Sequence, residues 1–190
     1  MSTPTLLHAN RWISLYERDG WVYASRRQTG QPRRIDATTI IALHSEAEAA
    51  SPHRLVVIEE FRVPIDGWEF GLPAGLLDGD EPVAECAARE LKEETGLEVT
   101  RVLEQSGQTF SSPGLTDESQ AFVVLTCRGT PSLRPGIEGE QIKVHLLTRS
   151  GCRELLERNR AGTAAISARV WPLLFAVAHA GTFAGVAIAE

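Results

Sequence analysis

The feature that most constrains this chain is a helix with hard stops at both ends, set between runs that read as strands. Asp80, Glu81 and Pro82 open it, with acids at the positive helix end and proline in the first turn. Gly96 closes it, where a left-handed cap is expected. Upstream, residues 35–44 and 55–63 are β-branched and apolar enough for two central strands. Residues 12–16 and 21–27 flank Arg18-Asp19-Gly20, whose Asp-Gly pair is a hairpin signal. Downstream, residues 99–106, 119–127 and 142–147 return to strand character, and residues 152–160 and 163–179 read as helices parted by Ala161-Gly162. Turns are expected at 30–34, 45–52, 64–67 and 130–139. Mixed strands, one central helix and helices at the end predict an α/β (α+β) layered domain over 35–180, with a small antiparallel β-hairpin subdomain over 1–34 and a tail over 181–190.

Charge narrows the partners. Lys and Arg total 19 against 25 Asp and Glu, a formal net charge of −6, and there is no basic run. Such a chain is poorly suited to gripping polymeric nucleic acid by its phosphates. It can hold a small phosphorylated ligand if metal ions reverse the local field. Cys86, Cys127 and Cys152 form no CxxC pair and read as idle thiols in a reducing cytoplasm. The first residues carry no basic region followed by an apolar run, so no secretory signal is expected. Residues 170–189 lack Asp, Glu, Lys and Arg, and Gly181 and Gly185 have GxxxG spacing. The stretch is nonetheless rich in Ala and Gly and holds Pro172, His179 and Thr182, which predicts a packed helix and a loose tail rather than a membrane span.

The central helix carries the chemistry. At about 100° per residue, Glu90, Glu93 and Glu94 share one face. Ala84, Ala88 and Leu91 lie on another that can pack on a sheet, and Arg89 stands four residues from both Glu85 and Glu93, able to brace either. Like charges at this spacing cost about 0.2–0.5 kcal/mol each on an exposed helix. These acids also lie near the negative helix end. A compensating cation is called for, and an all-oxygen donor set suits Mg²⁺ or Mn²⁺. The alternative is a solvated face interspersed with Arg89 and Lys92.

Gly75, Glu81, Arg89, Glu90, Leu91, Glu93, Glu94, Gly96 and Leu97 stand in the spacing G-x5-E-x7-R-E-L-x-E-E-x-G-L. That pattern resembles the signature of the Nudix hydrolases at every specified position. The resemblance implies a mixed β-sheet sandwiched between helices, and a metal-dependent hydrolase of a diphosphate linked to some other group. By the same resemblance Glu90 and Glu94 are metal ligands, with the backbone carbonyl of Ala74 a further one. Glu93 is a ligand or a hydrogen-bond partner of metal-bound water. Arg89 orients the glutamates, and Gly75 and Gly96 permit the flanking turns. Glu81 is either part of the site or a stabiliser of the helix start.

Further stretches resemble the ADP-ribose pyrophosphatase branch of that family. Ser112-Pro113-Gly114 with Glu118 resembles a loop that approaches the terminal ribose, which makes Pro113 and Glu118 substrate-binding candidates. Ile58-Glu59-Glu60-Phe61-Arg62 resembles the strand whose arginine contacts the diphosphate, which makes Arg62 another. Glu140 corresponds to a catalytic base on an acidic loop, with Glu138 as its alternative. One departure stands out: where the branch has an acid two residues before Pro73, this chain has Gly71, with Glu69 two residues earlier. The resemblance implies ADP-ribose as substrate, with FAD, a GDP-sugar or a dinucleoside polyphosphate as rivals in the same class, and a non-catalytic nucleotide sensor as a more distant one. It also implies a homodimer through the N-terminal strands, where Trp12, Trp21 and Tyr23 serve as stacking, interface or core aromatics.

Overall fold

Asp19 and Gly20 both adopt left-handed backbone, with φ of 51° and 84°, the conformation that a two-residue Asp-Gly hairpin turn requires. They join β2 (Ser14–Arg18) to β3 (Trp21–Ser25). In this computed structural model, which describes residues 2–27, 34–46, 52–132 and 142–190, a further strand β1 (Thr5–Ala9) pairs with β2. The expected hairpin is therefore a three-stranded antiparallel sheet. Its middle strand starts at Ser14 rather than at residue 12, because the Asn10 side chain accepts from the backbone N–H groups of Trp12 and Ile13 at 2.8 and 2.9 Å and turns the chain there.

The main sheet is mixed and contains nine strands among the described residues. Its centre is the pair β4 (Ala37–His44) and β5 (Arg54–Arg62), which touch at Leu43↔Leu55 and His44↔Arg54 and then diverge. On one edge β5 carries β11 (Ile142–Leu147). On the other it meets β4 first and β6 (Gly67–Gly71) further along. β4 pairs in parallel with β10 (Ser119–Arg128), and its diverging end is filled by β7 (Ala74–Leu76). The segment from Gly71 to Ala74 thus crosses the mouth of a V between two leaves of one sheet, tied to β4 by Ile40 N–H donating to Pro73 O at 2.8 Å. β8 (Glu98–Gln105) and the short β9 (Thr109–Phe110) complete the β10 side.

Period-two alternation sends alternate residues to opposite cores. Ile40, Ala42, Val56, Val123 and Leu125 pack with Ala87 and Leu91 of α1 (Val83–Thr95). Leu43, Leu55, Val57 and Phe70 pack on the other face with α2 (Arg149–Arg160) and α3 (Val170–Ala180). The sheet is therefore sandwiched between helices. Helix α1 buries Cys86, Ala87, Leu91 and Thr95, a stripe rotated slightly from the expected Ala84, Ala88 and Leu91.

Three expectations are corrected. Helix α2 begins at Arg149, because the Thr148 hydroxyl caps it by accepting from Gly151 N–H at 3.2 Å. Residues 163–169 are not helical: β12 (Ala165–Ile166) pairs in parallel with β6, and α3 starts only at Val170. The tail is not loose. β13 (Thr182–Phe183) and β14 (Val186–Ala187) form a hairpin, Ile188 is buried in the core, and Glu190 lies 2.6 Å from Arg149 and 2.9 Å from Arg153. No helix among the described residues is long and apolar enough to cross a membrane.

The N-terminal sheet is fastened to the main one by a buried ion pair. Arg27 Nη2 lies 2.6 Å from Asp36, with side chains 10% and 9% exposed, and both groups also bond Ser119. Removing one member of such a pair strands the other charge, at a cost of about 3–5 kcal/mol.

Candidate active site

Helix α1 ends as its sequence dictates: Gly96 is left-handed (φ 74°) and its N–H reaches Lys92 O. A Cβ on Gly96 would also run into the Ser132 side chain. Gly75 is different. Its φ lies outside the left-handed region, and it sits in β7 opposite Thr38. What requires glycine there is close approach, because a Cβ would fall inside the carboxyl group of Glu90. The expectation of a turn-permitting glycine is thus corrected to a seat for a glutamate.

Arg89 is the hub. Its guanidinium grips Glu81 with two arms, Nε to Oε1 at 3.1 Å and Nη2 to Oε2 at 2.9 Å. It also donates to Glu90 at 2.7 Å, to Glu93 at 3.3 Å and to Leu76 O at 3.1 Å. Glu81, rather than Glu85, is therefore its main brace. Glu81 also accepts from Asp78 N–H at 3.2 Å, in the loop that leads into the helix. The arginine's hydrogen bonds push the Glu81 carboxyl down to about 2. Because that folded value lies below the ordinary 4.5, the clamp is intact above pH 4.5 and lost only as pH falls through about 2.

Glu90 is the desolvated member. Its side chain is 14% exposed, and burial raises its pKa, with Arg89 opposing and the charges of Glu93 and Asp78 adding to the rise. Glu94 accepts from Ala74 N–H at 3.2 Å. Helix and β7 are thereby stitched at two adjacent points, Glu94 on Ala74 and Glu90 on Gly75. Among the described residues no three His, Cys, Asp or Glu side chains already converge as a metal cage. The donor set nevertheless fits a hard cation that retains waters: carboxylate oxygens alone, one of them desolvated, crowded by like charge and cradled where a Cβ would otherwise be.

The remaining candidates are dispersed around this centre. Arg62 shares the α1 face of β5 with Val56, and lies 3.0 Å from Glu60 and 3.6 Å from Glu69. Glu69 thus supplies an acid near the place where Gly71 lacks one. Pro113 lines a cavity of about 600 Å³ with Trp21, Tyr23 and Phe110. Glu118 is bonded by Arg26 at 2.6 Å, while Ala24 N–H donates to Leu115 O and Asp117 N–H to Ala24 O, hooking β3 onto that loop. Arg26 escaped sequence reading because nothing local marks a partner 92 positions away. A second cleft of about 440 Å³, lined by Arg26, Arg34, Leu76 and Leu77, borders the loop into α1. The glutamates of α1 line neither cavity. Trp12 and Trp21 are 64% and 65% exposed, which removes core packing as their role. All three cysteines are free and buried. Glu138 and Glu140 lie outside the described residues.

A family model described as NUDIX domain matches residues 34–166. The ADP-sugar pyrophosphatase of Mus musculus is 30% identical over 170 residues, covering 81% of this chain and 72% of that protein. The ADP-ribose pyrophosphatase of Saccharomyces cerevisiae is 35% identical over 74 residues, 39% of this chain and 32% of that one. The chain spans less than half the length of the first curated relatives it matches. A crystal structure described as an ADP compounds hydrolase superposes with a TM-score of 0.54 at 21% identity, over 92% of this chain and 93% of that one, a likeness of fold.

Proposed function

Because this chain belongs to the NUDIX domain family, we propose that it is a divalent-cation-dependent hydrolase that cleaves the diphosphate of ADP-ribose to AMP and ribose 5-phosphate. The observation that carries the reading is the glutamate face of α1, seated on β7 with Glu90 pressed on Gly75. Similarity to a protein named ADP-sugar pyrophosphatase over 81% of the chain supports the ADP part.

Glu90, Glu94 and the carbonyl of Ala74 hold the cation, Mg²⁺ or Mn²⁺. When bound, it neutralises the diphosphate oxygens and favours ionisation of water. Arg89, fixed on Glu81, keeps Glu90 and Glu93 aimed. Glu93, exposed on the face of α1, orients the attacking water, and Glu140 takes its proton. Arg62 steers the diphosphate, its own guanidinium steadied by Glu60 and Glu69. A P–O bond to water forms as the anhydride P–O bond breaks, and AMP and ribose 5-phosphate separate. Pro113 and Glu118 bound the ribose end beside an aromatic-lined cavity.

Pure protein with ADP-ribose and Mg²⁺ is expected to yield AMP, with ADP-ribose ranking above FAD, GDP-sugars and dinucleoside polyphosphates in kcat/KM. Absence of turnover of all of these across Mg²⁺, Mn²⁺ and other divalent ions would defeat the proposal. The N-terminal sheet and its β1–β2 turn leave Leu6, Leu7, Trp12, Trp21 and Val22 exposed, apolar surface of the kind that pairs subunits. We expect light scattering to read the mass of a homodimer, and a monomer mass at micromolar concentration would refute that pairing.

A further inference from the structure

Thr38 lies in β4 directly opposite Gly75. Ile40 and Ala42, two and four residues on, pack against Ala87 and Leu91 of α1, so the strand's alternation places the Thr38 side chain on the same face. It is 0% exposed, and its hydroxyl has no hydrogen-bond partner among the described residues. The neighbouring Thr39 makes the contrast plain: on the opposite face its equally buried hydroxyl donates to Gln120 Oε1 at 2.7 Å.

An unbonded buried hydroxyl destabilises a fold, and a valine of the same shape would fill the place better. The position of this one is informative. Directly opposed residues in an antiparallel pair carry their β-carbons about 4.5–5.5 Å apart. The place of the missing Cβ on Gly75 is where the Glu90 carboxyl lies. The orphaned hydroxyl and that carboxyl are therefore neighbours across β4 and β7, while Glu90 Oε1 accepts from Arg89 at 2.7 Å.

We propose that Thr38 is a positioning residue of the cation site: its hydroxyl donates to the Glu90 carboxylate once that carboxylate turns from Arg89 to a bound divalent ion. This rests on the cation-dependent reading above. Carboxylates that ligate metals are themselves hydrogen-bonded, and loss of such a partner typically costs about 10–100-fold in metal affinity. In the ion-free protein the hydroxyl is a liability; with the ion bound it becomes a contact.

That reversal gives the test. Wild type, Thr38→Val and Thr38→Ser are titrated with Mn²⁺ alone, followed by its electron paramagnetic resonance, and melted in chelator. Thr38→Val is expected to melt at or above the wild-type temperature without metal, yet to bind Mn²⁺ at least about 10-fold more weakly. Thr38→Ser, which keeps the hydroxyl, should bind within a few-fold of wild type. Equal affinity in Thr38→Val overturns the inference while leaving the hydrolase reading intact. A Thr38→Val protein that is less stable than wild type in chelator, or that fails to fold, also overturns it, because the hydroxyl would then have a structural partner already. Absence of Mn²⁺ binding by the wild type would instead sink the cation reading itself, and this inference with it.

Discussion

Glu94→Gln is expected to lower kcat for ADP-ribose by at least about 100-fold while leaving the melting temperature and circular dichroism near wild type. The glutamine keeps the shape and keeps an oxygen to accept from Ala74 N–H, the 3.2 Å bond that stitches α1 to β7. The fold therefore loses little. What it loses is a negative charge on the glutamate face of α1 that is proposed to hold the cation. Removing a group that merely supports a ligand costs about 10–100-fold in affinity or activity, so a direct ligand should cost at least the upper end. Raising Mg²⁺ should recover part of the rate, since the defect lies in holding the ion. Glu85→Gln makes the same charge change at an exposed position of the same helix, and serves as the control that should stay near wild type. A folded Glu94→Gln enzyme turning over at a near-normal rate would place the metal elsewhere.

What could be read from sequence was what local chemistry decides. Asp19-Gly20 dictates its own turn, and Pro82 and Gly96 bound a helix that runs from Val83 to Thr95. The glutamate face followed from helical spacing alone. What escaped was decided by contacts distant in the chain. Residues 163–169 carry helix-compatible alanines, but backbone pairing of Ala165 and Ile166 with β6 overrides that weak preference. The Ala- and Gly-rich end looked too small to pack, yet its hairpin closes on His53 through His53 N–H to Ala187 O at 2.7 Å and Ala189 N–H to His53 O at 2.8 Å. Strand β1 has leucines but no strict alternation to mark it, and all five of its residues are exposed. Within the site, the helix residues were legible and their supports were not. That Glu81 outranks Glu85 as the brace of Arg89, that Arg26 holds Glu118, and that Thr38 lies opposite Gly75 all depend on how separate segments of the chain meet.

Gly75→Ala separates stability from function more sharply than any change to a charged residue. Alanine is at no conformational disadvantage here, because the backbone of Gly75 is not left-handed. In a strand it should even stabilise slightly, by roughly 0.5–1 kcal/mol, through lower chain entropy. The added methyl nevertheless needs the space that the Glu90 carboxyl occupies. That obstacle is the far end of a flexible side chain, so the backbone can stay while Glu90 swings out, giving up its 2.7 Å bond to Arg89. On the proposed ligand set, a glutamate displaced from its seat no longer joins Glu94 and Ala74 in holding the ion. The expected result is a protein as stable as wild type with about 100-fold or greater loss in kcat/KM, matching Glu90→Gln. The double variant should be no worse than either single one, because both remove the same contact and their effects cannot add. Additive losses, or an active Gly75→Ala enzyme, would mean that Glu90 works from some other position and that the glycine serves only the chain's path.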